Sequence, residues 1–490
     1  MTADSFTRLQ SGVPGLDELL RGGYIAQRMY LVLGESGAGK TLLSNSFLAE
    51  GLASGENVLY IHGEESQEQI LTNAARVGLD LNDADFLDLG PESDFFSEDR
   101  GYELVEPRDV SNEEVIERIR DAIEERDPSR VLIDPIDQLR SLEPTENQYR
   151  KRIISFIRFL RERGTTVVAT QTVDSVTDSD IKSLSDGIIS LEHGAAGRRI
   201  SIQKHRGEDA PAGKHGLSLS ETGVEVFPSL VPEPQNRDFD PHQLQSGVPA
   251  LDELLNGGLE RGSVTIISGP TGIGKTTTAT EFLAEAASSG VTSYIALFEE
   301  YLEEFQYRSS NFGIPIAELR DEGLLIANEV EPLSISPEEF GQNVVSAVND
   351  HDIELVVIDG TDGYKTALHG DPSTTRQTLH ALVRYLKNQN ITVIITDEIS
   401  QVTGVSQPTS GNLSYLADNI VLLNYIEQYG HIDRVIGVLK KRLSSFEDTL
   451  RPFAITEEGI EIHEPQTDIH GILEGTPRLV DNDDTHQSSN

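Results

Sequence analysis

The chain has 490 residues with 82 Asp+Glu against 39 Lys+Arg, a formal net charge of −43, and no cysteine. The lack of cysteine excludes disulfides, thiolate metal sites and thiol catalysis. No apolar run reaches the roughly 18 residues of a membrane helix, and residues 1–10 lack the basic-then-apolar layout of a secretory signal, so a soluble cytoplasmic protein is expected.

The acids are scattered through segments of clear apolar periodicity. This favours an acidic surface on folded domains over a disordered acidic chain, and such a surface keeps proteins soluble in a salt-rich cytoplasm. A nucleic-acid partner is disfavoured, since binding along phosphates normally leaves a basic patch. Only 10 of the 39 cations are lysines, so each lysine merits attention.

In chain order, the first segment to stand out is RLQSGVPGLDELLRGGY at residues 8–24, which recurs as QLQSGVPALDELLNGGL at residues 243–259. Self-similarity over so long a period means one whole fold used twice. The expected layout is a first domain over residues 1–232, a linker over 233–241, a second domain over 242–466 and a polar, disordered tail over 467–490. The prolines Pro228, Pro232, Pro234 and Pro241 mark the junction.

Next come short apolar runs at residues 29–33, 57–62, 130–134 and 165–170, separated by amphipathic stretches such as 41–53 and 112–124. Runs apolar throughout suit strands buried on both faces. The alternation predicts an α/β fold in each repeat, with a mainly parallel central sheet and helices on both faces. Residues 199–204 and 215–219 predict antiparallel additions at its C-terminal edge.

Two glycine-rich loops each follow a strand and open a helix. They are Gly34-Glu35-Ser36-Gly37-Ala38-Gly39-Lys40-Thr41 and Gly269-Pro270-Thr271-Gly272-Ile273-Gly274-Lys275-Thr276. This pattern cradles nucleotide phosphates with backbone N–H groups and a helix N-terminus. Lys40 and Lys275 are placed to reach the β- and γ-phosphates, and Thr41 and Thr276 to ligate Mg²⁺. Asp134 and Asp359 end buried strands, where an acid faces the ligand crevice, and both are assigned to the Mg²⁺ shell.

After the second strand of each repeat stand Glu64-Glu65 and Glu299-Glu300. A hydrolase of this class needs a carboxylate to orient the attacking water, so Glu64 and Glu299 are the expected bases, with Glu65 and Glu300 in support. The same acids could instead cap the helices that follow. Lys204-His205-Arg206 and Lys440-Lys441-Arg442 end two further strands at matching points. They read as cations offered to the γ-phosphate of a neighbouring subunit, where they would stabilise charge in the transition state.

With these residues in place, the chain resembles the KaiC family of RecA-like ATPases from about residue 8 to residue 465. The resemblance implies two tandem RecA-like P-loop NTPase domains and a homohexameric ring with MgATP held between subunits. It places Arg434 at a nucleotide-contacting position, grouped with the trans-acting Lys204, His205, Arg206, Lys440, Lys441 and Arg442. It sets Phe312 near the adenine in the second domain, although Phe312 also reads as an ordinary core aromatic. Val77 holds the equivalent point in the first.

Clock members of the family phosphorylate themselves on an adjacent Ser-Thr pair. Here Ser414 matches the serine and Tyr415 replaces the threonine, so a single phosphoserine is the expectation, with Thr409 a weaker candidate. A polar helix or cap role for Ser414 stays open. Two other readings remain: a nucleic-acid motor of the same fold, and a nucleotide-gated scaffold with little turnover.

Overall fold

A computed structural model describes residues 6–90, 112–138, 146–173, 179–194, 197–232, 240–368, 372–399, 409–428, 430–465, 469–470 and 478–479. Most of the expected linker and tail lies outside these residues. The chain divides into two compact units, Met1–Ser229 and Leu230–Asn490.

In the first unit, the lead-in strand β1 (Arg8–Leu9) pairs antiparallel with β2 (Tyr24–Ile25). The main sheet holds nine strands: β3 (Met29–Gly34), β4 (Val58–His62), β5 (Asp85–Asp88), β6 (Arg130–Asp134), β7 (Thr166–Thr172), β8 (Gly187–Gly194), β9 (Gly197–His205), β10 (His215–Ser220) and β11 (Gly223–Phe227). Their order is β11-β10-β9-β8-β3-β7-β6-β4-β5. Pairings from β8 through β5 are parallel and those from β8 to β11 antiparallel.

The second unit repeats this plan. The hairpin β12 (Gln243–Leu244) with β13 (Leu259–Glu260) precedes β14 (Val264–Gly269), β15 (Ser293–Leu297), β16 (Leu325–Glu329), β17 (Leu355–Asp359), β18 (Thr392–Glu398), β19 (Asn419–Gln428), β20 (His431–Lys441), β21 (Arg451–Thr456) and β22 (Gly459–Ile462). The order is β16-β15-β17-β18-β14-β19-β20-β21-β22. Each sheet therefore has a parallel body with the loop-bearing strand inside it and an antiparallel C-terminal extension.

Every residue of β3, β4, β14, β15 and β17 is buried, because helices cover both sides of the sheet. Each unit accordingly carries two large apolar clusters. In the first unit, Phe47 and Leu48 from the helix Lys40–Ala53 enter one cluster, and Ile153 and Leu160 from the helix Glu146–Glu162 enter the other. Where a disordered tail was expected, β23 (Ile469–His470) and β24 (Arg478–Leu479) pair antiparallel.

Candidate functional site

Both phosphate loops emerge at the C-terminal end of a central strand. β3 ends at Gly34 and the helix Lys40–Ala53 follows; β14 ends at Gly269 and the helix Lys275–Ser288 follows. Gly39 and Gly274 take φ of 103° and 116°, a region that favours glycine. A Cβ on Gly39 would lie 2.9 Å from Leu219 Cδ1, and one on Gly274 2.7 Å from Ile455 Cδ1. The antiparallel extensions thus close against the loops, and the backbone there is free of side-chain bulk.

Ala38 and Ile273 are fully buried and anchor each loop from beneath, while Glu35, Ser36, Gly37, Thr271 and Gly272 face outward. Lys40 Nζ donates to the carbonyls of Gly34 and Glu35 at 2.9 Å; Lys275 Nζ donates to those of Gly269 and Pro270 at 3.0 Å. Each ammonium is folded over the mouth of its own loop.

Asp134 and Asp359 hold corresponding places at the ends of β6 and β17. Thr170 donates to Asp134, and Thr396 donates to Asp359 from the matching point at 2.7 Å. Tyr60 Oη adds a hydrogen bond to Asp134 at 3.1 Å. In the second unit the Thr276 hydroxyl donates to both Asp359 oxygens, at 3.1 and 3.0 Å. Burial pushes the Asp359 carboxyl up to about 6, against the lowering effect of the Thr396 and Thr276 hydrogen bonds. A hydroxyl and a carboxylate converging beside a phosphate loop are the hard oxygen donors that suit hydrated Mg²⁺. The residues therefore fit MgATP, with Thr41 and Asp134 as the counterparts.

Glu64 and Glu299 are both exposed at the mouth of the crevice. Gly363 N donates to Glu299 Oε1 at 3.2 Å, and a Cβ on Gly360 would lie 2.7 Å from the same oxygen. The second glutamates differ between repeats. Asn73 Nδ2 donates to Glu65 Oε2 at 3.3 Å. Arg308, at the corresponding position, forks onto Glu300 with contacts of 2.5 and 3.2 Å and also reaches Thr277 Oγ1 at 3.2 Å.

The lysine clusters lie at the opposite end of the sheet from these groups. Lys204 pairs with Ile188, which pairs with Leu31, three residues before Gly34; Lys440 pairs with Ile420 and thence Ile266, three residues before Gly269. Each ammonium caps carbonyls of a short helical segment: Lys204 those of Lys182 and Ser183, Lys440 those of Ser414 and Ala417 at 2.8 and 2.7 Å. Burial, then the neighbouring Arg206 or Arg442, lowers both lysine pKa values. Arg206 and Arg442 are half exposed and tethered to the buried Asp186 and Asp418, at 3.3 and 3.8 Å.

Three residues grouped with these cations are placed differently from the outward-facing Lys204, Arg206, Lys440 and Arg442. Lys441 is fully buried, paired with Glu260 at 3.0 Å and donating to the carbonyls of Leu255 and Gly258. His205 is 5% exposed and packs beside Tyr30. Strand alternation explains both, since the residue between two outward side chains must point inward. Arg434 stands apart from the trans group, at the loop's own end of the sheet. It faces Tyr425 across the ladder with its guanidinium 6.0 Å from the ring, and a Cβ on Gly272 would meet the Tyr425 hydroxyl at 3.6 Å.

Phe312 is half-buried just past the helix Leu302–Ser310. Ser414 is half-buried near the end of the 3-10 turn Ser410–Tyr415, Thr409 is buried at its start, and the Tyr415 ring lies 5.6 Å from that of His380.

Sequence reasoning missed three residues. Arg198 pairs with His193 just as Arg434 pairs with Tyr425, and the 236-residue offset between the lysine clusters would have found it. Arg308 is marked by its mismatch with Asn73. Glu398 gains meaning only because β18 lies beside β14, setting it 3.6 Å from Lys275 Nζ.

A parallel sheet ordered with the loop-bearing strand inside it, a phosphate loop, an acid at the end of the strand one removed from it and a glutamate after the strand beyond that define a RecA-like P-loop ATPase, here present twice. The family model described as "ATPase: KaiC" matches residues 9–231 and again 244–467. The chain belongs to the KaiC family of ATPases. The circadian clock oscillator protein KaiC of Thermostichus vulcanus is 29% identical over 97% of this chain and 93% of its own length. The circadian clock protein KaiC3 of Synechocystis sp. is 26% identical over 97% and 95%, and KaiC of Synechococcus elongatus 27% over 99% and 94%. Among the described residues no helix is long and apolar enough to cross a membrane.

Proposed function

We propose that the chain is a Mg²⁺-dependent ATPase whose subunits assemble head to tail into a closed ring, a homohexamer by family likeness. ATP bound on each phosphate loop would then be completed by the lysine cluster of the next subunit. The observation that carries this reading is the separation of the two halves of the site. Arg206 N donates to Asp186 O and Asp186 N to Met29 O, at the start of β3, whereas the loop leaves from its finish at Gly34. Five residues of strand put about 16 Å between them. Arg442 and Asp418 repeat this at Val264. A cation cluster on the far end of the sheet cannot serve its own loop, but it meets a loop across a heterologous interface, the kind that closes into rings.

In this reading Lys40 or Lys275 and the loop N–H groups hold the phosphates. Thr276 with Asp359, and Thr41 with Asp134, would hold Mg²⁺, which would supply positive charge to offset that of the phosphates. Glu64 or Glu299 orients a water against the γ-phosphate and accepts its proton, while Lys204 with Arg206, or Lys440 with Arg442, meets the growing charge from the neighbouring subunit. Release of phosphate from ATP by the pure protein should fall by about 10²-fold or more in Glu64→Gln/Glu299→Gln, the usual contribution of a general base. Turnover near the native rate in that variant would refute the assignment.

One contact favours serine autophosphorylation as an added activity. The Ser414 carbonyl accepts from Lys440 Nζ at 2.8 Å, so a lysine that reaches a neighbour's γ-phosphate brings Ser414 with it. Labelled ATP and phosphosite mapping test this. Label on Ser414 that is lost in Ser414→Ala is the expected result, and turnover of ATP with no label on Ser414 counts against it.

A further inference from the structure

The two phosphate loops differ in the residue that closes the adjoining strand. In the first unit Gly34 of β3 is in register with Thr172 at the end of β7; in the second, Gly269 of β14 is in register with Glu398 at the end of β18. The same lattice point thus carries a hydroxyl in one repeat and a carboxylate in the other. Glu398 is one-third exposed, and its Oε2 lies 3.6 Å from Lys275 Nζ, itself 11% exposed. This is the ammonium that a phosphate loop presents to the β- and γ-phosphates.

We propose that Glu398 is a specificity-determining residue that sets the second site against nucleoside triphosphates and in favour of diphosphates. The inference rests on the reading that both loops bind nucleotide. A carboxylate this close to the loop lysine acts in two ways. It competes with the phosphates for the cation, so nucleotide must displace it. It also repels added negative charge, and a triphosphate brings more charge to the lysine than a diphosphate does. In a half-buried crevice solvent screens this repulsion less than at an open surface. Thr172 offers the first loop no charge at this register. The second site thus binds ATP less favourably relative to ADP than its phosphate loop alone would, and takes up ATP once the charge at Glu398 is offset.

The test uses the full-length chain with the first loop silenced by Lys40→Ala, so that binding reports the second site. Affinities for ADP and for a non-hydrolysable ATP analogue, both with Mg²⁺, are compared with and without Glu398→Thr and the near-isosteric Glu398→Gln. The expected result is analogue binding at least tenfold tighter in both variants, with a smaller gain for ADP, and a gain that shrinks as salt rises. In the reciprocal arm, Thr172→Glu with the second loop silenced by Lys275→Ala should weaken the analogue more than ADP. Unchanged or weaker analogue binding in Glu398→Gln, with ADP still bound and the thermal midpoint retained, overturns the proposal. Unchanged binding in Lys40→Ala/Lys275→Ala would instead overturn the nucleotide-site reading, and the inference with it.

Discussion

At the residue scale the two repeats run a natural comparison. Arg130 is fully buried, forked onto Glu56 at 2.9 Å by two nitrogens, and donates to the carbonyls of Gln10 and Phe47. At the matching points the second unit holds Leu355, Val291 and Ala286, all apolar and buried, the last replacing Gly51. A Cβ on Gly51 would lie 2.7 Å from Arg130 Cδ, so the glycine makes room for the guanidinium. Removing one partner of such a pair strands a buried charge, and Glu56→Ala should cost about 3–5 kcal/mol. The triple change Arg130→Leu/Glu56→Val/Gly51→Ala copies the apolar solution and should stay within about 1 kcal/mol of the native chain or exceed it. Hydrogen exchange in β6 measures both; a triple variant as unstable as Glu56→Ala would contradict the comparison.

Asp359 makes a second residue-scale prediction. Its carboxyl is raised to about 6 in the fold against an ordinary 3.8. Between these values the native state binds the proton more tightly than the unfolded chain, so this group's contribution to stability falls as pH rises through the window. Mg²⁺ needs the ionised form, so the sign reverses for metal. Mg²⁺ affinity at the second site should weaken as pH drops from 7 to 5, and Asp359→Asn should flatten that dependence. Titration calorimetry in the Lys40→Ala background would show it.

At the element scale, the loops themselves depend on strands far away in sequence. Gly274 combines a left-handed φ with Ile455 closing on it from β21, so Gly274→Ala faces both strain and a clash. It should lose about 1–3 kcal/mol locally and most nucleotide binding at the second site. Native stability with full binding would show that β21 does not pack as described.

These same elements show how far the sequence could be read. Parallel strands, phosphate loops and strand-end acids were legible because each has a local signature: an all-apolar run, glycines at fixed spacing, an acid at the run's end. The inward turn of Lys441 and His205 was not, because three adjacent basic letters look alike until strand alternation assigns their faces. Arg434 is singled out only by the family resemblance, because its position depends on the hairpin register that sets it opposite Tyr425. Glu398 was invisible for the same reason: β14 and β18 meet only across more than a hundred residues.

At the scale of the molecule, the charge of −43 is read as a property of the surface. A surface this acidic repels itself, and salt shortens the reach of that repulsion from about 10 Å at 0.1 M to 3 Å at 1 M. We expect the thermal midpoint to rise steadily between these concentrations; a fall would argue against the acidic-surface reading. The central claim is that each site is assembled from two subunits. Mixing decides it. Lys40→Ala/Lys275→Ala lacks working loops, and Lys204→Ala/Arg206→Ala/Lys440→Ala/Arg442→Ala lacks the far-side cations, so each alone should release little phosphate. Combined and reassembled, they create interfaces that join an intact loop to an intact cluster, and the account predicts ATPase activity recovered to roughly a quarter of native, the share of such interfaces in random assembly. A mixture of co-assembled subunits no more active than its parts would contradict the account.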